Sequence, residues 1–333
     1  MDIDVVVMWV DGNDPEWLKE KRKYSPEKQD DSNSTNRFRD WNLMKYWFRA
    51  IEKNMPWVRK IFFVTWGHVP AFLNLSNPKL RVVKHDEYIP KQYLPTFSAN
   101  PIELNLHRIQ DLSENFVLFN DDMFVLKPLK KSYFFKNNMP CGYYAEQPVD
   151  LVGKLEVWQH LVINDIKTIN KYFDKRRKLL EKPTKYFNLS YSLKDNIKSI
   201  LLMIAYSHRF TGFKILHTVN AYSKNTYREL WEKEYDLLDR TSKNKFRNKE
   251  DVNQWLLLWW QIATGFFTPT KMSPGAFDIV ENNISNICDD IIHQKYEIIC
   301  INDPTENVDF YKLESALHDA FDKLFPEKSS FEK

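Results

Sequence analysis

Apolar residues in this chain fall first into short unbroken runs and then into helical stripes. Ile3-Asp4-Val5-Val6-Val7-Met8-Trp9-Val10 is a β-branched run that stops at Asp11-Gly12-Asn13-Asp14-Pro15, a string of turn formers. The chain therefore opens on a core strand with a polar loop at its end. From Asp40 to Asn54 the apolar positions Leu43, Met44, Trp47, Phe48 and Ile51 recur at three and four residues and predict a helix with one buried face. Ile61 to Trp66 reads as a second strand, Leu80 to His85 as a third and Phe116 to Asn120 as a fourth. Strands alternating with helices predict an α/β fold with a Rossmann-like, largely parallel sheet.

After Pro148 the pattern changes. Leu155 to Asn170, Arg176 to Leu180 and Leu193 to Arg209 are helical in spacing and rich in Lys. They predict a helical insertion over 148–212, suited to acceptor contacts, between the two parts of one catalytic domain at 1–147 and 213–333. Ser223 to Leu238 and Asp251 to Ala263 read as further helices, the second capped by Asp251. Glu297 to Ile301 is a late strand ending in Asn302-Asp303, and Asp309 to Phe325 an amphipathic helix. Asn100 to Ile109 mixes two periods and is read as a helix.

Three apolar strands thus finish in polar or acidic residues: at Asp11, at Asn120-Asp121-Asp122 and at Asn302-Asp303. Parallel strands would bring those ends to one edge of the sheet, where ligands of open α/β folds collect. Carboxylates there suit a hard cation such as Mg²⁺, which keeps waters and substrate phosphates in its shell. Each acid alone is more often a turn residue than a ligand, and only the repetition favours a site. Asp121 and Asp122 are consecutive, so in an extended backbone they point to opposite sides; Asp122 is taken as the critical acid.

Composition narrows the chemistry. With 7 glycines in 333 residues and neither a dinucleotide fingerprint nor a P-loop, phosphate must be held by side chains and metal. The net charge of +3, from 48 basic and 45 acidic residues, gives no nucleic-acid footprint. Cys141, Cys288 and Cys300 lack metal-ligand spacing and read as free thiols in a reducing compartment. Nothing ahead of the first strand reads as a signal peptide or membrane span, which predicts a cytoplasmic protein.

Trp9-Val10-Asp11-Gly12-Asn13-Asp14-Pro15, Arg37-Phe38-Arg39-Asp40, Ser98 to Ile109 and Phe119-Asn120-Asp121-Asp122-Met123-Phe124 together resemble the Stealth family of sugar-phosphate transferases. Leu216-His217-Thr218, Lys245-Phe246-Arg247, Ile301-Asn302-Asp303 and Phe325 to Glu332 continue the likeness in the family's order. The resemblance implies a nucleotide-sugar transferase fold and transfer of a hexose 1-phosphate unit from a UDP-sugar to a glycan hydroxyl. A phosphodiester forms, UMP leaves, and attack at phosphorus spares the anomeric configuration. It also implies Mg²⁺ or Mn²⁺, an oligo- or polysaccharide acceptor, a role in capsule or exopolysaccharide synthesis, and a peripheral position at the inner membrane face.

Roles follow from that likeness. Asp121, Asp122, Asn302 and Asp303 are the candidate metal ligands, and His217, with an ordinary pKa near ~6.5, the candidate general base. Arg247 can grip phosphate oxygens bidentately, although its lysine neighbours fit a surface arginine as well. Asp11 and Gly12 shape the first loop near the nucleotide, Gly12 by a left-handed turn. Arg37, Arg39 and Asp40 precede a helix start, where they bind the donor or brace the cap. Asn100, His107 and Arg108 complete the donor-side set as supporting groups. Thr65-Trp66-Gly67-His68 departs from the Thr-Asn-Gly-Gln usual in relatives. Two other classes stay open: a metal-dependent glycosyltransferase releasing UDP, and a non-catalytic carbohydrate-binding protein using some of the 11 Trp and 16 Tyr.

Overall fold

A computed structural model describes residues 1–25, 38–151, 153–303 and 308–333. Arg37 lies outside the described residues. Among these the strands are β1 (Ile3–Met8), β2 (Ile61–Thr65), β3 (Leu80–Lys84), β4 (Asn115–Phe119), β5 (Met123–Val125), β6 (Phe135–Lys136), β7 (Met139–Gly142), β8 (Asn220–Ser223), β9 (Thr268–Pro269), β10 (Gly275–Asp278) and β11 (Ile298–Asn302). The central sheet runs β3-β2-β1-β4-β8. Its first four strands are parallel and β8 closes the edge antiparallel.

Strands β1, β2 and β4 are mostly apolar, with Asp4, Thr65 and Asn115 the exceptions, because both sheet faces are covered. Val5, Val7, Phe63, Val117 and Phe119 pack on the side of the helices Met44–Asn54 and Phe310–Leu324. Val6, Phe62, Val64, Phe116 and Leu118 point the other way, toward Val157–Tyr172, Lys224–Lys233 and Gln254–Thr264. Large aromatics such as Trp47 and Trp260 are fully enclosed, and truncating one to Ala would cost about 3–5 kcal/mol. The helices within 148–212 add Val162, Ile166 and Ile169 to the core under the sheet.

A second sheet, β10-β11-β5, sits beside the first. Here β10 and β11 are parallel and β5 runs antiparallel to β11. The chain passes from β4 to β5 through the turn at Asp121-Asp122, so this turn joins the two sheets.

Several boundaries move for local reasons. The helix expected from Asp40 starts at Met44, because the Asp40 carboxylate accepts the Asn42 N–H and Asn42 has φ of 55°. Asn253, not Asp251, caps the helix Gln254–Thr264. Asp251 is instead buried, accepting from Asn100, Asn244 and the Asn248 N–H. Asn100 to Ile109 breaks into the helix Ala99–Leu104 and a 3₁₀ turn, Leu106–Arg108, at Asn105. Ser223 to Leu238 likewise divides, into Lys224–Lys233 and Tyr235–Lys243.

Candidate active site

Parallel pairing puts the carboxyl ends of β1, β2 and β4 on one edge, and the second sheet brings its own acids to the same place. The third acidic strand end belongs to that second sheet rather than to the central one. Asp278, the last residue of β10, is in register with Asn302, the last of β11. The Ile301 N–H donates to the Asp122 carbonyl at 2.9 Å, which docks the end of β11 against the Asp121-Asp122 turn. Asp121 and Asp122 lie in a turn closed by the Met123 N–H on the Asn120 carbonyl at 3.3 Å, not in extended backbone. The alternation argument for their opposite directions therefore does not apply.

Asp122 faces inward. Its Oδ1 is buried with no hydrogen-bond partner, and its Oδ2 accepts from Cys300 Sγ at 3.5 Å. The same sulfur lies 3.4 Å from Asn302 Oδ1, so two oxygens converge on one point. Burial pushes the Asp122 carboxyl up to about 6, against the Cys300 hydrogen bond that lowers it. Asp121 is exposed at the turn, yet the protein packed near its carboxyl, then the charges of Asp122 and Asp40, push it up to about 8. Burial raises Asp40 too, opposed by hydrogen bonds from the Asn42 N–H and Trp9 Nε1. The Cys300 thiol is raised by burial and by Asp122, so it stays protonated and donates.

His217 stands on the segment leading into β8, open to water at the cleft. Partial burial lowers its pKa and the Asp278 carboxylate opposes this, so the imidazole is neutral near pH 7 and able to take a proton. Asp278 was not singled out by the sequence reading. Its signal was the one used elsewhere, an acid closing a short apolar run, here hidden in Gly275-Ala276-Phe277-Asp278 behind Pro274.

The first loop is fixed by its neighbours. The Asp11 N–H donates to His68 Nε2 at 2.8 Å, and Asp11 Oδ1 accepts from the Asn13 N–H at 2.9 Å. Accepting at Nε2 places the His68 proton on Nδ1, 3.7 Å from Asp14, and burial keeps the ring neutral. Gly12 is not left-handed: a Cβ there would lie 1.8 Å from the Phe38 carbonyl oxygen, so close backbone approach demands the glycine. Arg39 forms a two-pronged ion pair with Asp303 and lies over Trp41 and Phe310. It braces the end of β11 and leaves Asp303 committed to that pair.

Asn100 belongs to the Asp251 cluster, and Arg247 lies within reach of the buried Glu103, whose carboxyl burial pushes up to about 7 while the Arg247 charge opposes. His107 and Arg108 are not brought to the strand ends. His107 packs on Tyr227 and Trp231, Arg108 lies over Trp231, and His107 neighbours Lys224, which donates to the Ile109 and Glu114 carbonyls near the amino end of β4. Burial and those positive charges lower His107 to about 3. Alongside the His217 segment, a pocket is lined by Tyr143, Ile215, Leu216, Thr218, Trp255 and Trp259.

The donor set fits a divalent cation that draws part of its shell from substrate. Asp122 offers an orphaned carboxylate oxygen and Asn302 a second oxygen, with Asp121 at the mouth. Among the described residues no group of three or more His, Cys, Asp or Glu is placed to hold a metal ion by itself. Magnesium commonly uses one or two carboxylates and takes the rest from water and phosphate.

Residues 1–29 match the model of Stealth protein conserved region 1, and residues 37–141 that of conserved region 2. A capsular polysaccharide phosphotransferase, WcwK, of Streptococcus pneumoniae is 44% identical over 99% of this chain and 98% of its own length. The receptor polysaccharide phosphotransferase WefC of Streptococcus oralis is 38% identical over 99% of each chain. The exopolysaccharide phosphotransferase cps2G of Lactiplantibacillus plantarum is 36% identical over 100% of this chain and 96% of its own. Among solved structures, the galactosyltransferase LgtC in complex with donor and acceptor sugar analogs aligns over 98% of this chain and 96% of that one. The identity is 10% and the TM-score 0.38, too loose to transfer any residue.

Proposed function

Because the chain belongs to the Stealth family and is a transferase, we propose that it moves a hexose 1-phosphate, such as N-acetylhexosamine 1-phosphate, from a UDP-sugar to a glycan hydroxyl. The product would be a phosphodiester in a capsule or exopolysaccharide and the leaving group UMP. The observation that carries this reading is Asp122, with one buried oxygen unpartnered and the other sharing the Cys300 thiol with Asn302, at a cleft that also holds a neutral histidine.

In the proposed reaction the acceptor oxygen attacks the phosphorus bonded to the sugar, and the anhydride bond to UMP breaks. The acceptor proton goes to His217. The Asp278 charge holds the imidazolium that results, and Asp121, Asp122 and Asn302 would hold Mg²⁺ or Mn²⁺ against the diphosphate. Bound there, the cation would offset charge building on the phosphoryl oxygens. Arg247 is proposed to add positive charge to the phosphates, and Asp11, Gly12 and Asp40 to border the nucleotide; Arg39 acts through Asp303. The 148–212 insertion, apart from the outward face of Leu193–Ala205, and the aromatic pocket beside Leu216 are proposed to receive the acceptor. No helix among the described residues is long and apolar enough to cross a membrane, so the expected peripheral position requires a surface.

Incubation with UDP-sugar, acceptor glycan and Mg²⁺, followed by separation of nucleotides and phosphorus NMR of the glycan, tests the reading. UMP with a phosphodiester resonance is expected. UDP would instead identify a conventional glycosyltransferase, and sugar binding without turnover, unchanged in Asp122→Asn and His217→Ala, would identify a binding protein.

A further inference from the structure

The helix Leu193–Ala205 is mounted the wrong way round for a soluble protein. Leu193, Ile197, Ile200, Leu201 and Ile204 fall within one stripe at helical spacing, and that stripe faces water, with Leu193 75% and Ile204 71% exposed. The polar side is turned inward. Asp195 accepts from Tyr143 Oη at 2.7 Å and from Lys214 Nζ at 2.8 Å, and Ser199 Oγ accepts the Glu146 N–H at 3.0 Å. Lys175, itself buried against Glu146, donates to the Leu202 carbonyl at 3.0 Å. Hydrogen bonds and ion pairs therefore clamp the helix to the body and leave its hydrophobic face unpartnered.

The apolar face continues and is rimmed with positive charge. A groove lined by Arg176, Leu180, Met203, Ile204 and Ser207 extends it, and Leu189 beside it is fully exposed. Lys194 and Lys198 flank the stripe on one side of the helix. Residues 175–214 hold ten Lys or Arg against two Asp or Glu, in a chain with 48 against 45, and of the ten only Lys175 and Lys214 are taken up by the inward ion pairs just described.

We propose that this face binds an anionic lipid bilayer, lying in the headgroup region with its Leu and Ile side chains immersed. Exposed aliphatic residues flanked by lysines are what an interfacial helix needs, since the apolar side chains leave water while the ammonium groups reach anionic headgroups. A second copy of the chain fits less well. A two-fold interface on this patch would set one basic rim against another, and of the Trp, Tyr and Arg anchors that dominate protein interfaces the face has only Tyr206 and Arg176, at its edge. Lys214, which holds Asp195, is three residues before His217, so the lipid-facing helix and the proposed base share one short segment. The membrane face stands independently of the reaction assigned to the cleft.

Co-sedimentation of the full chain with phosphatidylcholine vesicles, with and without phosphatidylglycerol, tests it. The protein is expected to pellet with the anionic vesicles and to be released as salt rises. The combined variant Ile197→Gln, Leu201→Gln, Ile204→Gln should lose binding while unfolding at the parent's temperature, because those side chains already stand in water. Lys194→Glu with Lys198→Glu should weaken binding by roughly tenfold or more, on anionic vesicles only. The proposal is overturned if the parent ignores anionic vesicles, or if the triple variant pellets like the parent. It is equally overturned if light scattering shows a parent dimer that the triple variant splits while neither binds lipid.

Discussion

The two ends of the central sheet carry the same kinds of residue and treat them oppositely. At the amino end, Asp4 is fully buried and fully partnered, by Arg59 and by the N–H groups of Lys60 and Ser113. Glu114, also there, accepts from Arg228, Ser223 and the Asn225 N–H, which together lower its pKa although burial alone would raise it. At the carboxyl end, burial raises Asp121, Asp122 and Asp40, and for Asp121 the charges of the other two add to it. A buried acid that holds the fold together is given its partners by the chain. One left short of partners at a cleft is waiting for a ligand, and the fold is less stable for it.

Exchanging Asp122 for Asn probes that contrast most strongly. Turnover should fall by about 10²–10⁴-fold while circular dichroism stays that of the parent; near-parental turnover would remove Asp122 from the mechanism. The companion Asp121→Asn should raise the melting temperature. Its native pKa of about 8 exceeds the ordinary 3.8, so the penalty is absent below about 4 and complete above about 8, and the gain should grow across that window. A variant that melts lower at pH 8 would contradict the strained-cluster picture.

The amino end should respond in the other sense. Asp4→Ala leaves Arg59 without its buried partner and should cost about 3 kcal/mol by urea denaturation. The kcat of the molecules that remain folded should not move; a selective loss of kcat would mean that the two ends are coupled.

Asp278→Asn sharpens the account of the base. Asp278 raises the His217 pKa against burial, so its removal should shift the acid limb of the kcat/KM profile to lower pH. Turnover should drop roughly tenfold with the loss of charge facing the imidazolium. An unmoved limb would separate Asp278 from His217. The smallest effect is expected at His68. His68→Ala removes the acceptor of the Asp11 N–H and should raise the donor KM by roughly threefold to tenfold, whereas His68→Gln, which keeps an acceptor, should restore it.

Much of this was legible along the chain. The strands at Ile3, Ile61, Leu80 and Phe116 and the stripe from Leu43 to Ile51 appear where their periods put them, because strand and helix spacing is a local property. The acids at the strand ends were legible for the same reason, as polar stops to apolar runs. Asp278 was missed because its strand is four residues long and gains its place only by pairing with β11. His107 and Arg108 were credited with donor contacts, but nothing nearby in sequence shows that they pack by the opposite end of β4.

The sequence by itself determined an alternating α/β chain, the faces its helices would bury, and a set of acids at strand ends matching a known family. Tertiary structure decided which acids were neutralised and which were left raised, since partners such as Arg59 and Arg39 come from 55 and 264 residues away. It also decided that Gly12 answers to the Phe38 carbonyl and that the stripe of Leu193–Ala205 faces outward. A hydrophobic period fixes that a helix has two faces. Only long-range hydrogen bonds, here those of Asp195 and Ser199, fix which face the protein keeps.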